Sequence, residues 1–410
     1  MEQGQFRVYG YRWVVLSVFM LVIFMNQLSW ISFAPITGPA AAFYGVADLQ
    51  IGLLSLVFML VYIIISVPAS WMIDSYGLRV SVGIGAALTG VFGFMRGLVA
   101  DNYTLVLVAQ IGLAVGQPFL LNAMTSVAAR WFPVGWRAIA AGMGSLAMYV
   151  GIAVGLVLTP YLTANYDIIT MLMIYGVASP VVAIIFFVFI KDRPPTPPCA
   201  PEDEERSLVF EGFRDSLHQP TFILLLVIFF VGLGVFNAVT TWIEDILRPR
   251  NFSVIEAGHI GGIMILGGIM GALLVPLIAE HYNKRTPLIR VAIIGATLGL
   301  IGVTFTAEYS LIILAAFFFG FFLLGVGPLG FQYGAEITYP APEGMSNGLM
   351  LLVGQISGVM FILGMDSFKN PVTGSMSIPL SVLIGLMGVG IYLSFRLKEP
   401  EHQSEEKKEA

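Results

Sequence analysis

Long apolar segments recur from one end of the chain to the other, and they constrain its fold more than any other feature. Each run of about eighteen apolar residues is long enough to cross a hydrocarbon layer of about 30 Å as a helix. The 410 residues are 57% hydrophobic and 11% charged, whereas soluble domains carry about 25% charged residues. The sequence therefore predicts an all-α integral membrane protein, and it shows no cleavable signal peptide.

The apolar segments predict twelve transmembrane helices, numbered 1 to 12 in chain order. Their ranges are 12–43, 49–73, 79–99, 103–128, 135–161, 167–190, 219–246, 254–279, 287–306, 309–333, 343–366 and 373–396. A proline-rich and then acidic stretch between helices 6 and 7 is typical of a flexible linker. We therefore expect two six-helix bundles, a linker and a charged tail. These are a first bundle at 1–190, a cytoplasmic linker at 191–218, a second bundle at 219–396 and a cytoplasmic tail at 397–410.

The basic residues predict the orientation, because Lys and Arg concentrate in loops on the cytoplasmic side of a membrane. With the N-terminus inside, the 20 Lys and Arg residues fall on the inner side except Arg96, Arg248, Arg250 and Lys369. Both termini are therefore expected in the cytoplasm of a multi-pass cell-membrane protein. The single cysteine, Cys199, excludes a disulfide framework and a thiolate metal site. We expect a monomer with no cofactor, no metal and no nucleic-acid partner.

Six helices, a cytoplasmic linker and six more helices resemble the layout of the major facilitator superfamily, whose two halves are related repeats. The segment "SWMIDSYGLRV" between helices 2 and 3 is similar to a loop of that superfamily, and Asp74, Gly77 and Arg79 match its pattern. We expect a conformational latch at the inner face, with Asp74, Arg79, Arg130 and Glu336 as gating residues. The alternative is an ordinary positively charged inner loop.

The stretch "MNQLSWISFAP" at residues 25–35 places Asn26, Gln27 and Trp30 near the middle of helix 1. An unpaired amide in hydrocarbon is expensive, so these groups should face one another or a wet cavity. Counted inward from the predicted helix ends at about 1.5 Å per residue, amides on three further helices reach a similar depth. They are Gln117, Asn237 and Gln355.

Carriers with this layout bind their substrate near the bilayer midplane between the two halves. We therefore expect Trp30 and the amides to line a substrate cavity, with the polarizable side chain of Met59 beside them. The alternatives are interhelical bonding for the amides, an interfacial position for Trp30 and packing for Met59. No charged residue falls at the midplane of a predicted helix. The expected substrate is therefore neutral, zwitterionic or an organic cation held against an aromatic face.

Ionisable residues near the helix ends have two interpretations. His259, in the outer third of helix 8, and Asp366, at the end of helix 11, are candidate proton-coupling residues. The alternative is a solvated helix end, and we prefer this alternative for Asp245, Arg248 and Arg250 at the end of helix 7.

Four segments resemble a family within the superfamily. They are "YRWVVLSVFMLVIFMNQLSWISFAPI", "LSLVFMLVYIIISVPASWMIDSYGLR", "RPPTPPCAP" and "GAEITYPAPEGMSNGLMLLVGQISG". They are similar to the carriers related to the feline leukaemia virus subgroup C receptor, which are linked to choline, ethanolamine and haem transport. The resemblance implies a choline site that includes Trp30, Met59, Gln117 and Gln355. The helix 7 tyrosine of that site is absent, because Asn237 occupies its place. A quaternary ammonium therefore loses one cation–π contact worth about 0.5–2 kcal/mol.

The leading hypothesis is a facilitative secondary transporter that moves a small organic solute by alternating access. Trp30 would stack on the solute, and Gln117, Gln355 and Asn237 would bind its polar groups. One alternative is a proton-coupled symporter of a small organic acid or another metabolite. Another is a membrane receptor or sensor on a carrier scaffold. An enzyme is not expected, since the sequence offers no nucleophile–base pair and no metal cluster.

Overall fold

The structure is a computed structural model that describes residues 7–198, 217–282, 284–339 and 343–399. The side chain of Glu343, the single cysteine Cys199, Pro340, most of the predicted linker and nearly all of the predicted tail lie outside this description. Within the described residues every regular element is helical, and twelve segments are long and apolar enough to cross a membrane. The prediction of an all-α membrane protein with twelve transmembrane helices is confirmed.

The twelve membrane-spanning segments are called spans 1 to 12 in chain order. They are Arg12–Tyr44, Asp48–Tyr76, Leu78–Leu98, Tyr103–Trp131, Val134–Asn165, Ile168–Phe189, Pro220–Thr241, Val254–Tyr282, Thr286–Phe305, Tyr309–Ile337, Gly344–Ser367 and Ser377–Ser394. The α-helix of span 11 begins one residue earlier, at Glu343. A short helix at Ile243–Leu247 and a 3-10 turn at Arg248–Arg250 follow span 7.

Span 1 is interrupted. Its first α-helix is Arg12–Ile31, a 3-10 turn follows at Ala34–Ile36, and a second α-helix covers Thr37–Tyr44. The interruption contains Pro35, which has no backbone N–H to donate to the preceding turn. The predicted segment 12–43 is therefore one span that consists of two α-helices.

Span 4 is interrupted as well, between an α-helix at Tyr103–Leu121 and a second at Met124–Trp131. Pro118 lies in the last turn of the first helix, and Asn122 caps that helix. The predicted single helix over 103–128 therefore misses a break that separates Asn122 from the regular helical spacing of span 4.

The described residues form two compact units, and the division between residues 208 and 209 lies inside the predicted linker. In the first unit the packed pairs include spans 1 and 5, 1 and 6, 2 and 4, 3 and 4, and 3 and 6. In the second unit they include spans 7 and 11, 7 and 12, 8 and 10, 9 and 10, and 9 and 12. Each of these five pairs of the first unit recurs six spans later, so the two units share this part of their packing pattern, as related halves do.

Glycines allow neighbouring spans to approach closely. A Cβ atom added at Gly151 of span 5 would lie 2.5 Å from the carbonyl oxygen of Phe24 in span 1. In the second unit, Gly271 of span 8 lies against the carbonyl of Phe321 in span 10. The close contact at Gly151 holds span 5 against the part of span 1 that carries Asn26 and Gln27.

Candidate substrate-binding residues

Trp30 is held between spans 1 and 2 of the first unit. Its indole Nε1 donates to the carbonyl oxygen of Ser55 at 3.1 Å, and the Ser55 hydroxyl donates to the carbonyl oxygen of Trp30 at 3.3 Å. The side chain of Trp30 is only 5% exposed. These paired bonds fix the indole inside the unit, and its role in substrate binding stays a prediction.

Met59 lies one helical turn after Ser55 on the same face of span 2, and it is buried. Tyr62 continues this face, and its hydroxyl donates to Oδ1 of Asn122 at 2.7 Å. The side-chain nitrogen of Asn122 donates to the hydroxyls of Ser66 and Ser70 at 3.0 and 2.9 Å. Sequence analysis missed this polar cluster between spans 2 and 4. The spacing of residues 55, 59, 62, 66 and 70 was the available signal, since it places them on one helical face.

Asn26 and Gln27 differ in what they contact. The side-chain nitrogen of Asn26 donates to Oγ1 of Thr89 at 3.3 Å and to the carbonyl oxygen of Leu113 at 3.2 Å. Asn26 therefore connects span 1 with spans 3 and 4. The side-chain nitrogen of Gln27 is 3.5 Å from Oδ1 of Asn26, and both residues are buried. For Asn26 these contacts match the alternative of interhelical bonding.

Gln117 of span 4 contrasts with Asn26. It is 6% exposed, yet no group among the described residues forms a hydrogen bond with its carboxamide. Its carboxamide atoms are not among the fully enclosed polar atoms that lack a partner, so a ligand or water can reach them. Its donor and acceptor positions are therefore available to a ligand or to water.

In the second unit, Asn237 and Gln355 lie on spans 7 and 11, which pack together. The side-chain nitrogen of Asn237 donates to the carbonyl oxygen of Gly354 at 3.4 Å, and Asn237 is 7% exposed. Gln355 is half-buried, and within the described residues its carboxamide has no hydrogen-bond partner. Gln355 therefore resembles Gln117 of the first unit in having a carboxamide without a hydrogen-bond partner among the described residues. Asn237 differs, because its side-chain nitrogen already bonds the neighbouring span.

The predicted inner latch includes an acidic residue that sequence analysis missed. Asp192, just after span 6, accepts from the backbone N–H of Arg79 at 3.1 Å and pairs with Nη1 of Arg130 at 3.4 Å. A Cβ atom added at Gly77, whose φ is +84°, would lie 2.6 Å from the Asp192 carboxylate. Glycine is therefore required there twice, by its backbone conformation and by this contact. Asp74, the acidic residue that matches the superfamily pattern between spans 2 and 3, is half-buried.

The second unit has an acidic residue at the position that corresponds to Asp192. Glu399, just after span 12, accepts from the backbone N–H of Thr286 at 3.0 Å and from its hydroxyl at 2.7 Å. Glu336 pairs with Arg285 at 2.5 Å. Acids at corresponding places after spans 6 and 12 thus cap the N-terminal ends of spans 3 and 9. The gating roles of Asp74, Arg79, Arg130 and Glu336 stay predictions.

Asp245, after span 7, is buried, which corrects the preference for a solvated helix end at this residue, whereas Arg248 and Arg250 are half-buried. Asp245 is 0% exposed; it pairs with Arg248 and accepts from Nζ of Lys369 at 2.6 Å. Nη1 of Arg250 donates to the carbonyl oxygen of Thr306 at 3.1 Å, and burial lowers the pKa of Arg250. The short helix Ile243–Leu247 carries these acids inward, because all five of its residues are buried.

The two candidate proton-coupling residues stay predictions. The side chain of His259 is exposed in the second turn of span 8, and it has no hydrogen-bond partner among the described residues. Asp366 is half-buried in the last turn of span 11. Neither position is in the middle of a span, where a proton relay through the membrane needs a titratable group.

Comparison with known proteins agrees with this architecture. The model of the Major Facilitator Superfamily matches residues 19–362. Solute carrier family 49 member A3 of Danio rerio is 30% identical over 383 residues, which cover 90% of this chain and 81% of that protein. The choline/ethanolamine transporter flvcr2b of the same organism is 29% identical over 409 residues, covering 94% and 84%. The choline/ethanolamine transporter FLVCR1 of Felis catus is 29% identical over 402 residues, covering 92% and 71%.

Solved structures support the fold alone. A bacterial homologue of the human lysosomal transporter Spinster, in an inward-facing and unoccupied conformation, superimposes with a TM-score of 0.76 at 17% identity. The alignment covers 95% of this chain and 98% of the bacterial protein. Both resemblances that the sequence indicated are confirmed. The chain belongs to the Major Facilitator Superfamily, as a secondary transporter of small organic solutes related to the feline leukaemia virus subgroup C receptor.

Proposed function

We propose that this carrier moves a small primary amine, of which ethanolamine is the simplest example, by facilitated alternating access and that it binds choline less well. The observation that carries the proposal is the pair of carboxamides on Gln117 and Gln355. Each lacks a hydrogen-bond partner among the described residues, and each lies in a membrane span where an unpaired amide is expensive. A substrate that supplies the missing partners compensates for this cost.

The chemistry of these groups favours an ammonium that can donate hydrogen bonds. A carboxamide oxygen accepts from N–H groups, and a primary ammonium has three of them. The trimethylammonium of choline has none, so it depends on aromatic faces. Trp30 supplies one such face, and the position of the family's helix 7 tyrosine holds Asn237. Several relatives are named choline/ethanolamine transporters, which supports an amine as the substrate class.

The distribution of acidic residues supports facilitated transport over proton coupling. In the described part of the membrane spans, every acidic residue lies in the first or last turn of its span. These residues are Asp48, Asp74, Glu256, Glu280, Glu336 and Asp366. A proton-coupled carrier needs a titratable group inside the membrane. We therefore assign no coupling role to His259 or Asp366.

We also propose an orientation, a location and an oligomeric state for the carrier. Both termini lie in the cytoplasm, because the basic residues concentrate in the loops on that side. The carrier acts in the cell membrane as a monomer and performs no chemistry on its substrate. Trp30, Met59 and Gln117 are the proposed substrate-binding residues of the first unit, and Gln355 and Asn237 are those of the second.

Replacing Asn237 with tyrosine is expected to increase the affinity for choline by about 2- to 30-fold, since one cation–π contact contributes about 0.5–2 kcal/mol. Ethanolamine affinity should change less. The measurement is competition by unlabelled choline or ethanolamine against labelled ethanolamine uptake in proteoliposomes. Asn237→Leu is the matched control, because it removes the amide without adding a polar aromatic ring. Equal inhibition of the unmodified carrier by both amines, or no ethanolamine uptake, would contradict the proposal.

An imposed proton gradient is expected to leave the initial rate of ethanolamine uptake unchanged. The reason is the position of the acidic residues at the ends of the described spans. The rate is measured in proteoliposomes with equal or different internal and external pH, with the external pH held constant. If the proton gradient drives accumulation of ethanolamine above its external concentration, transport is coupled to protons. His259 and Asp366 would then again be candidate proton-coupling residues.

A further inference from the structure

The peptide bond that precedes Trp30 is held by side chains from two other spans. The carbonyl oxygen of Ser29 accepts from Nη1 of Arg96 at 2.9 Å and from Nε2 of Gln110 at 3.2 Å. The hydroxyl of Ser32 also donates to it, at 2.9 Å. This carbonyl lies two residues before the end of the first α-helix of span 1. A carbonyl at a helix end must find partners outside the regular ladder.

Arg96 is fully buried in span 3, with 0% exposure. Its Nη1 atom also donates to Oγ of Ser32 and to Oε1 of Gln110, both at 3.0 Å, and its guanidinium lies 5.9 Å from the centre of the Phe33 ring. No carboxylate among the described residues pairs with it. A buried cation without a counter-ion is costly. A surface arginine would avoid this cost, so the position of Arg96 requires an explanation beyond general packing.

The geometry around Trp30 supplies that explanation. The Ser29 carbonyl belongs to the peptide plane on the N-terminal side of Trp30, and Arg96 and Gln110 fix its direction. The carbonyl of Trp30 belongs to the plane on the other side, and the hydroxyl of Ser55 donates to it. Both planes next to Trp30 are therefore anchored, immediately before span 1 is interrupted.

We propose that Arg96 and Gln110 are positioning residues that clamp the Ser29 carbonyl and thereby aim the indole of Trp30. The relevance of this clamp to transport rests on the proposed function, in which Trp30 stacks on the solute. The clamp itself does not depend on the identity of the solute. Because the interruption at Pro35 leaves this part of span 1 without a continuous helical ladder, the orientation of Trp30 depends on side chains from spans 2, 3 and 4.

The test uses ¹⁹F NMR of the full chain labelled with 5-fluorotryptophan in nanodiscs, without substrate. The Trp30 signal is assigned with Trp30→Phe, and the signal of Trp242 in the second unit is an internal control for folding. Arg96→Met and Gln110→Leu should each shift or split the Trp30 signal by more than its linewidth while the Trp242 signal stays in place. Arg96→Lys keeps the charge without the planar fork and should give a smaller change. Val91→Ala changes a side chain of the same span that is 63% exposed, and it should have no effect on the Trp30 signal.

An unchanged Trp30 signal in folded Arg96→Met would overturn the proposal. If Arg96→Met does not fold, Gln110→Leu decides in the same way, because it removes both the donor to Ser29 and an acceptor for Arg96. The outcome is separable from the proposed function. A shifted Trp30 signal together with normal amine uptake by Trp30→Ala would keep the clamp and reject the substrate role of Trp30.

Discussion

Replacing Trp30 with alanine is expected to lower the affinity for the transported amine by roughly 30- to 700-fold. Truncation of a buried aromatic residue at the centre of a binding site costs about 2–4 kcal/mol, and each 1.4 kcal/mol is about tenfold in affinity. The indole is 5% exposed and joins spans 1 and 2 through Ser55. The measurement is the concentration dependence of ethanolamine uptake in proteoliposomes, with the amount of inserted protein determined separately.

Two variants separate a binding role from a folding role. Trp71→Ala removes a tryptophan from span 2 that is 54% exposed, and it should leave uptake unchanged. Trp30→Phe keeps an aromatic face but loses the donor to Ser55, so it should retain a substantial part of the affinity. If Trp30→Ala is stable and transports as well as the unmodified chain, Trp30 does not contact the solute.

The positions of the spans could be predicted from the sequence because membrane insertion depends on local composition and length. The predicted and observed spans 5 and 9 begin within one residue of each other. The interruption near Pro118 was harder to place, because whether a proline only kinks a helix or ends it depends on the neighbouring spans.

The polar contacts could not be predicted, since each joins residues distant in the sequence. Asp192 contacts Arg130 across 62 positions, and Tyr62 contacts Asn122 across 60. Only the packing of spans within a unit brings these partners together. For Gln110 a local signal existed, because it lies seven residues before Gln117 on the same face of span 4.

The burial of Asp245 after span 7 was not predicted, for a related reason. A sequence with two acids followed by two arginines is typical of a solvated helix end, and nothing local distinguishes it from a buried ion-pair cluster. Trp242 decides the outcome in the structure: it is 0% exposed, and its Nε1 donates to the carbonyl oxygen of Ile362 in span 11 at 3.1 Å. This anchor turns the helix Ile243–Leu247 inward and buries Asp245 with it.

Replacing Asp245 with alanine is expected to destabilise the protein by about 3 kcal/mol, at the lower end of the usual cost of removing one partner from a buried ion pair. Asp245 is fully buried, whereas its partners Lys369 and Arg248 are 16% and 36% exposed. Without the carboxylate, Lys369 loses its 2.6 Å contact, whereas Arg248 keeps its pair with Glu244 at 3.8 Å. A loss of this size should lower the melting temperature by roughly 6–12 °C, measured on the purified protein in detergent.

Asp101→Ala is the matched control, because Asp101 is an exposed acid between spans 3 and 4, and a surface change of this kind is usually within about 0.5 kcal/mol. Lys369→Met tests the specific pair. It leaves Asp245 with Arg248, so its effect should be smaller than that of Asp245→Ala. In the double variant the two losses should overlap by about 0.5–3 kcal/mol, because both substitutions break the same ion pair. Strictly additive losses would mean that the 2.6 Å contact between Lys369 and Asp245 contributes nothing to stability.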